Sequence, residues 1–470
     1  MKKRLLILFT IFIVTFLCIL TACNSDSNSS SINSDTQSQA ESLGDSQANN
    51  VTNNNDVEND VGPYYFKTSA LEKYVIVYSS EHSGYSYLAT KLKTQISKAY
   101  GKSLSVKLDS RQDASRYEIL IGETNRYNHQ SGVMEYSVTV DEGRLIINVG
   151  GLYSAEQAVD FLCQNLFNGD DITLENGEYY KTSLLSTYKS ITSESDVRIM
   201  SANLLADSFA DSSYKKADYR AEIFAGMLVS CTPDVIGLQE IDSSWSKAID
   251  GYLARIKSVY GISYSKHLDK YQNKTNYTSF LYRSDKFKVE DSGVKVFSWW
   301  QDASFNHKYH MRNIGWARFS SLTDSDMCFI AANTHWSYRT EYSSGNRYLS
   351  GSDTPIAVNE LRTQCKDETN AFLTSLRQAN PDTPIFLTGD FNTSLLFFTQ
   401  SDWTPEAFSV LSEESKKNNT AVSVVPESGH FDHIFGAGRY SILKYEFFND
   451  INQHALLSDH PFVYVDLKLV

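Results

Sequence analysis

From Tyr64 onward, short apolar runs of strand length alternate with longer stretches in which apolar residues recur every three or four positions. Between Tyr64 and Leu185, "KYVIVYS" and "YEILIGET" read as strands, and "YSYLATKLKTQISKAYG" and "SAEQAVDFLCQNLF" as helices. "YSVTVDEGRLIINVGG" reads as a hairpin that turns at Glu142 and Gly143. The pattern predicts a small α/β unit over residues 64–185, with no cluster of titratable residues in it. Residues 196–470 repeat the alternation at greater length, and there several strands end abruptly in a polar residue.

Those ends carry the chemistry. "VRIMSAN" finishes at Asn203, "DVIGLQE" at Glu240, "CFIAANTHW" contains His335, "PIFLTGDFN" supplies Asp390 and Asn392, and "SGHFDHIF" opens a strand at Asp432. The last strand, "FVYVDL", follows the pair Asp459 and His460. In layered α/β folds, strand ends and their loops bring distant side chains together, so these groups would share one site. Oxygen donors dominate and no thiolate is present, a set that suits Mg²⁺ or Mn²⁺ far better than Zn²⁺. Mg²⁺ takes one or two carboxylates with waters and a substrate phosphate, which leaves an imidazole and a carboxylate to orient and deprotonate water.

The words "LQE", "NTHW", "GDFN", "FDHIF" and "SDHPF", in that order, resemble the endonuclease/exonuclease/phosphatase superfamily of metal-dependent phosphoesterases. That superfamily includes pancreatic-type deoxyribonuclease, abasic-site endonucleases, neutral sphingomyelinases and inositol-polyphosphate 5-phosphatases. The resemblance implies an α/β fold, a two-sheet, four-layer α/β sandwich over 196–470 preceded by the small α/β domain. It implies that Glu240 is the principal metal ligand, with Asn203 and Asp459 completing or supporting the shell. Asp390 would position or deprotonate the attacking water, and Asn392 would bind the phosphate. His460, held by Asp432, would act as base or charge stabiliser, and His335 would be a second imidazole on the scissile phosphate. Arg312 in "MRNIGWARF" resembles the arginine that contacts substrate phosphate in family nucleases; a surface ion pair is the other reading. His307, His310, His430, His433 and His454 have no such counterpart and read as solvated or core histidines. Trp299 and Trp300 could stack on a sugar or base, or simply pack.

At the other end, "MKKRLLILFTIFIVTFLCILTAC" places three basic residues before an apolar run with signal-peptide flanks. "LTAC" resembles the lipobox of bacterial lipoproteins, so residues 1–22 are expected to be removed and Cys23 to carry the lipid, which would hold the protein on the outer face of the cytoplasmic membrane. Residues 23–63 are rich in Ser, Asn, Gln and Asp, and 24–63 contain no Lys or Arg, which predicts a tether. Loss of Lys2, Lys3 and Arg4 takes a formal net charge of −13 to −16. Such acidity opposes nonspecific nucleic-acid binding, which rewards Lys and Arg. Cys163, Cys231, Cys328 and Cys365 show no metal spacing and read as core thiols, with Cys365 on the stripe Leu361, Cys365, Phe372, Leu376 of a helix.

The expectation is therefore a lipid-anchored phosphoesterase that hydrolyses a phosphodiester or phosphomonoester. Its partner could be extracellular nucleic acid, a phospholipid head group or a phosphorylated glycan, and the loop 336–355, rich in Tyr, Ser and Gly, reads as a substrate rim. The small domain resembles the N-terminal α/β module of some bacterial glycoside hydrolases through "EILIGETNR" and "GRLIINVGGLYSAEQAVDFL", which implies contact with a glycan. The rival expectation is a surface glycan-binding lipoprotein whose larger domain is catalytically idle.

Overall fold

Strands form where Val, Ile and Phe cluster between turn residues, because branched and aromatic side chains pack well on a pleated surface. The computed structural model describes residues 64–127, 129–185, 194–210, 215–271, 274–275, 278–298, 312–336, 358–393, 408–418, 430–448 and 456–470. Cys23 with its leader and tether, Trp299, Trp300, His307, His310, His454 and the rim 337–355 lie outside the described residues. No helix among those described is long and apolar enough to cross a membrane.

Among the described residues, three six-stranded sheets organise the fold. The first runs Ser105–Leu108, Val75–Tyr78, Glu118–Ile121, Arg144–Val149, Glu135–Asp141, Gly177–Ser183. Its hairpin turns at Glu142 and Gly143, with φ of 48° and 80°. Two consecutive left-handed residues match the twist of the flanking strands, and glycine takes that conformation without a steric penalty. Helices Tyr85–Tyr100 and Leu152–Asn165 pack on this sheet through Leu88, Leu92 and Ile96, and through Ala155, Val159 and Leu162.

The second sheet runs Tyr264–His267, Thr278–Arg283, Val235–Gln239, Val197–Asn203, Phe462–Leu469, Tyr440–Phe448. The third runs Phe287–Val296, Asn313–Ser321, Cys328–His335, Ile385–Asp390, Asp432–Ala437, Ser409–Val410. Each has one central parallel pair flanked on both sides by antiparallel strands. The two sheets face each other across a core of Val197, Ile199, Val235, Phe280, Phe329 and Phe386 and their neighbours. Alternate residues on the same strands point the other way: Met200 and Ala202 meet helices Ala217–Cys231 and Ser243–Tyr260. On the far side, Ile330, Ala332 and Leu387 pack with Cys365, Leu373 and Leu376 of helix Val358–Ala379. Helix, sheet, sheet, helix gives the four-layer α/β sandwich expected from the sequence. With both faces covered, the central strands are buried at nearly every position.

Deep in the second sheet, Arg198 pairs with Asp466 through two contacts, at 2.5 and 2.7 Å. Both residues are buried, and the bidentate geometry ties the start of one strand to the last one at the end of the sheet opposite Asn203. Cys231 and Cys365 are buried, while Cys163 and Cys328 are half-buried.

Candidate active site

The sheet topology explains why residues so far apart in sequence meet. In the second sheet, Asn203 pairs with Gln239 in the parallel ladder, so Asn203 and Glu240 leave from the same sheet end. In the third sheet, His335 pairs with Asp390 in the same way. Antiparallel neighbours then begin where those strands finish: Asp432 lies opposite Asp390, and Phe462, just after Asp459 and His460, starts beside the Asn203 end. Four strand ends and two strand starts therefore gather at one edge of the sandwich.

Side-chain contacts join the two halves. Asn203 Nδ2 donates to Asp390 Oδ2 at 3.0 Å and lies 3.3 Å from Glu240 Oε1. Its Oδ1 already accepts from the Leu205 N–H at 3.0 Å, so the amide presents donors rather than its oxygen to the two carboxylates. His335 Nε2 is 3.2 Å from Asp390 Oδ2 and 4.0 Å from Glu240 Oε1. His460 Nδ1 lies 2.6 Å from Asp432 Oδ2, and its Nε2 faces Asp390 Oδ2 at 3.9 Å.

Burial and charge oppose each other here. Burial works to raise the Asp390 pKa, but His460 and His335, with the Asn392 N–H at 2.8 Å, outweigh it and hold the carboxyl well below the usual carboxylate range. Burial also works against a charged His460, yet Asp432, Asp390 and Asp459 raise its pKa well above that of a free imidazole. The Asp432–His460 pair thus holds a proton beside an ionised Asp390. Asp459 is an exposed residue at the rim whose carboxyl is partly desolvated by its neighbours, and that desolvation, with Glu240 and Asp390, raises its pKa.

The surrounding backbone is strained where it touches these groups. Glu240, Asn392 and Leu205 all adopt left-handed φ, at 58°, 50° and 53°. Such residues persist only where their surroundings over-determine them, and they concentrate at functional sites. Around Glu240 the determinant is the Ala206 N–H, which donates to Oε2 at 3.0 Å. Around Asn392 it is the donation from Nδ2 to the Trp336 carbonyl at 2.9 Å.

Of the residues singled out in the sequence, Asn203, Glu240, His335, Asp390, Asn392, Asp432 and His460 come together, with Asp459 at the rim. Arg312 is buried just ahead of strand Asn313–Ser321, at the His335 end of the third sheet. His433 is a core histidine: it lies against Phe391 and Thr393, and burial lowers its pKa to about 4. Three supporting groups carried no separate sequence signal. They are the Ala206 N–H; Ser458, whose Oγ donates to the Asn203 carbonyl at 2.6 Å; and Asn333, which accepts from Gln239 Nε2 at 2.6 Å between the sheets. Ser458 and Asn333 do lie inside the words "SDHPF" and "NTHW".

The donor atoms of Glu240, His335 and Asp390 all lie within 4.8 Å of one another, as do those of Asp390, Asp432 and His460. Asp432 Oδ1 is buried with no hydrogen-bond partner among the described residues. Oxygen-rich, anionic and incompletely satisfied, this set fits a divalent cation.

The model of the Endonuclease/Exonuclease/phosphatase family matches residues 200–460, more than half of the chain. A comparison with curated proteins found no match. Among solved structures the chain is similar to an endonuclease/exonuclease/phosphatase from Bacteroides vulgatus, at 20% identity over 58% of this chain and 99% of that one, TM-score 0.42. It is similar to a mannosyl-6-phosphatase of Bacteroides thetaiotaomicron, at 17% identity over 58% and 100%, TM-score 0.42. It is also similar to the human Nocturnin catalytic domain, at 14% identity over 58% and 94%, TM-score 0.42.

Proposed function

We propose, from the premise that this chain belongs to the endonuclease/exonuclease/phosphatase family, that it is a Mg²⁺- or Mn²⁺-dependent hydrolase of a phosphodiester or phosphomonoester. The observation that carries this reading is the meeting of both sheets at Asp390, which contacts Asn203 from one side and His335 from the other.

Glu240 would hold the cation, with Asp459 as a further oxygen donor at the rim and Asn203 fixing the Glu240 and Asp390 carboxylates relative to each other. When bound, the cation would supply Lewis-acid stabilisation of charge on the phosphoryl oxygens. Ionised Asp390 accepts a hydrogen bond from the attacking water and orients it in line with the leaving oxygen. His460, kept charged against Asp432, faces the developing charge on the phosphoryl group, and His335 and Asn392 provide further donors. "LTAC" and the polar tether support attachment through Cys23 to the outer face of the cytoplasmic membrane.

The test is hydrolysis of bis(p-nitrophenyl) phosphate and p-nitrophenyl phosphate by the full chain before and after chelation, with Mg²⁺ or Mn²⁺ restored. Activity should vanish with chelator and return with metal, and Glu240→Gln should need more metal for the same rate. Activity that survives chelation, or wild-type activity of Glu240→Gln at limiting metal, overturns the reading. Fractionation of the same cells checks the anchor: Cys23→Ser should leave the membrane fraction with catalysis intact, and retention there rules the anchor out.

A further inference from the structure

We infer that Arg220 is a positioning residue that sets the metal-side half of the site, an inference that rests on the metal-dependent reading above. Arg220 lies on helix Ala217–Cys231, is fully buried, and touches none of the proposed reacting groups directly. Its Nη1 donates to three carbonyls: Leu204 at 2.8 Å, Leu205 at 2.9 Å and Leu457 at 3.1 Å. Nε donates to the Lys215 carbonyl at 2.9 Å, and Nη2 lies 3.6 Å from Asp207 Oδ1.

Those carbonyls belong to two segments with distinct duties. In segment 204–206 the Leu204 and Leu205 carbonyls face Arg220, while two amides face the site: Leu205 N–H holds Asn203 Oδ1, and Ala206 N–H holds Glu240 Oε2. Leu457 immediately precedes Ser458, Asp459 and His460, and Ser458 Oγ binds the Asn203 carbonyl. One guanidinium therefore joins the segment that orients Glu240 to the segment that delivers Asp459. Trp245 completes the grip, with its ring under the Arg220 guanidinium at 4.9 Å and its Nε1 donating to the Leu205 carbonyl at 3.1 Å. The left-handed Leu205, at φ 53°, is held by both. Nη1 bridges the two segments, while Nε on the Lys215 carbonyl and the Trp245 face fix the plane that aims it; an ammonium on a flexible stem has no second nitrogen with which to keep that aim.

The experiment measures Mn²⁺ binding directly, from the electron paramagnetic resonance signal of the free ion, in the wild-type chain and in Arg220→Lys. Thermal melting of the metal-free proteins is recorded alongside. Loss of a direct partner of a metal ligand weakens a site roughly 10- to 100-fold; Arg220 acts one step further out, through the segment that carries the Ala206 N–H, so Arg220→Lys should bind Mn²⁺ about 10-fold weaker, the low end of that range. Its turnover at saturating metal should recover most of the wild-type value. A folded Arg220→Lys with wild-type Mn²⁺ affinity, whatever its melting temperature, overturns the inference. Should Arg220→Lys fail to fold, Trp245→Phe removes the indole N–H from Leu205 and part of the buried ring while keeping an aromatic face for Arg220, and several-fold weaker Mn²⁺ binding is then expected; wild-type affinity in that variant overturns the inference equally. A wild-type chain that binds no Mn²⁺ overturns the metal reading itself, which separates the two failures.

Discussion

His460 sits against Asp432 at 2.6 Å, and that carboxylate is the nearest reason for its raised pKa. Replacement by an amide removes the negative charge but leaves the shape, so Asp432→Asn should lower the His460 pKa and shift the limb of the pH–rate profile that His460 controls to lower pH. The sign is the same whether His460 works as an acid or as a base, because the charged imidazole loses its anionic partner in either case. Turnover should fall on the order of two to four decades, the usual range for acid–base groups, and His460→Ala should add little to it because the two act together. Additive losses, or an unmoved limb, would show that the pair does not function as one. At this scale the proposed reacting side chains were legible because each interrupts an apolar run at a strand end. Their supports were not. The Ala206 amide is backbone and has no side-chain signature, and Arg220 reads in the sequence like any other charge on a helix.

Strands and helices were legible in proportion to how one-sided their burial is. The hairpin at Glu142–Gly143 and the last strand from Phe462 were plain from alternation and turn chemistry. Strand Phe287–Val296 was not, since most of its residues are partly or fully exposed and it reads "FKVEDSGVKV" at the edge of the third sheet. Helix Ala217–Cys231 carries no clear stripe because residues on nearly all its faces are buried. Hidden as well was the seam where the two sheets touch just beneath the site. A Cβ on Gly237 would fall 1.9 Å from Thr388 Oγ1 and 2.8 Å from Asn333 Oδ1. Both atoms belong to the facing sheet, so glycine there permits the close approach that lets Asn333 bond Gln239. Gly237→Ala should therefore force the sheets apart, at a cost of about 1–3 kcal/mol, the range for overpacked cores, with activity lost more steeply than stability. Urea denaturation checks the first part, and adding Thr388→Ala should restore some of the loss by removing the struck hydroxyl. A Gly237→Ala chain with unchanged midpoint would show that the seam tolerates a methyl.

Residues 64–185 and 196–470 read as separate patterns, yet the folded chain does not keep their interiors apart. Val133, Met134 and Tyr153 of the first belong to the same apolar cluster as Ile223, Phe224 and Trp245 of the second. Glu222, two residues beyond Arg220, points into that junction and accepts from Met134 N at 3.1 Å, Tyr153 N at 2.6 Å and Ser154 N at 3.2 Å, the last two at the start of helix Leu152–Asn165. Arg255 reaches back to the Ser131 carbonyl at 3.0 Å and to Glu81 at 2.9 Å. An interface built from shared core and buried polar bonds should unfold with its two sides together rather than one after the other. All six tryptophans lie between residues 245 and 403, so indole fluorescence follows the larger part alone, whereas far-ultraviolet circular dichroism follows both. The two probes should give coincident urea curves. Glu222→Ala would leave three amides at the junction without their acceptor, and at roughly 1–3 kcal/mol for each unsatisfied group it should move both curves to lower urea by the same amount. If fluorescence stays in place while the circular dichroism curve splits, the smaller part unfolds alone and the junction is only a contact. Coincident movement means instead that the smaller part is built into the stability of the helix that carries both Glu222 and Arg220, and so of the site that helix supports.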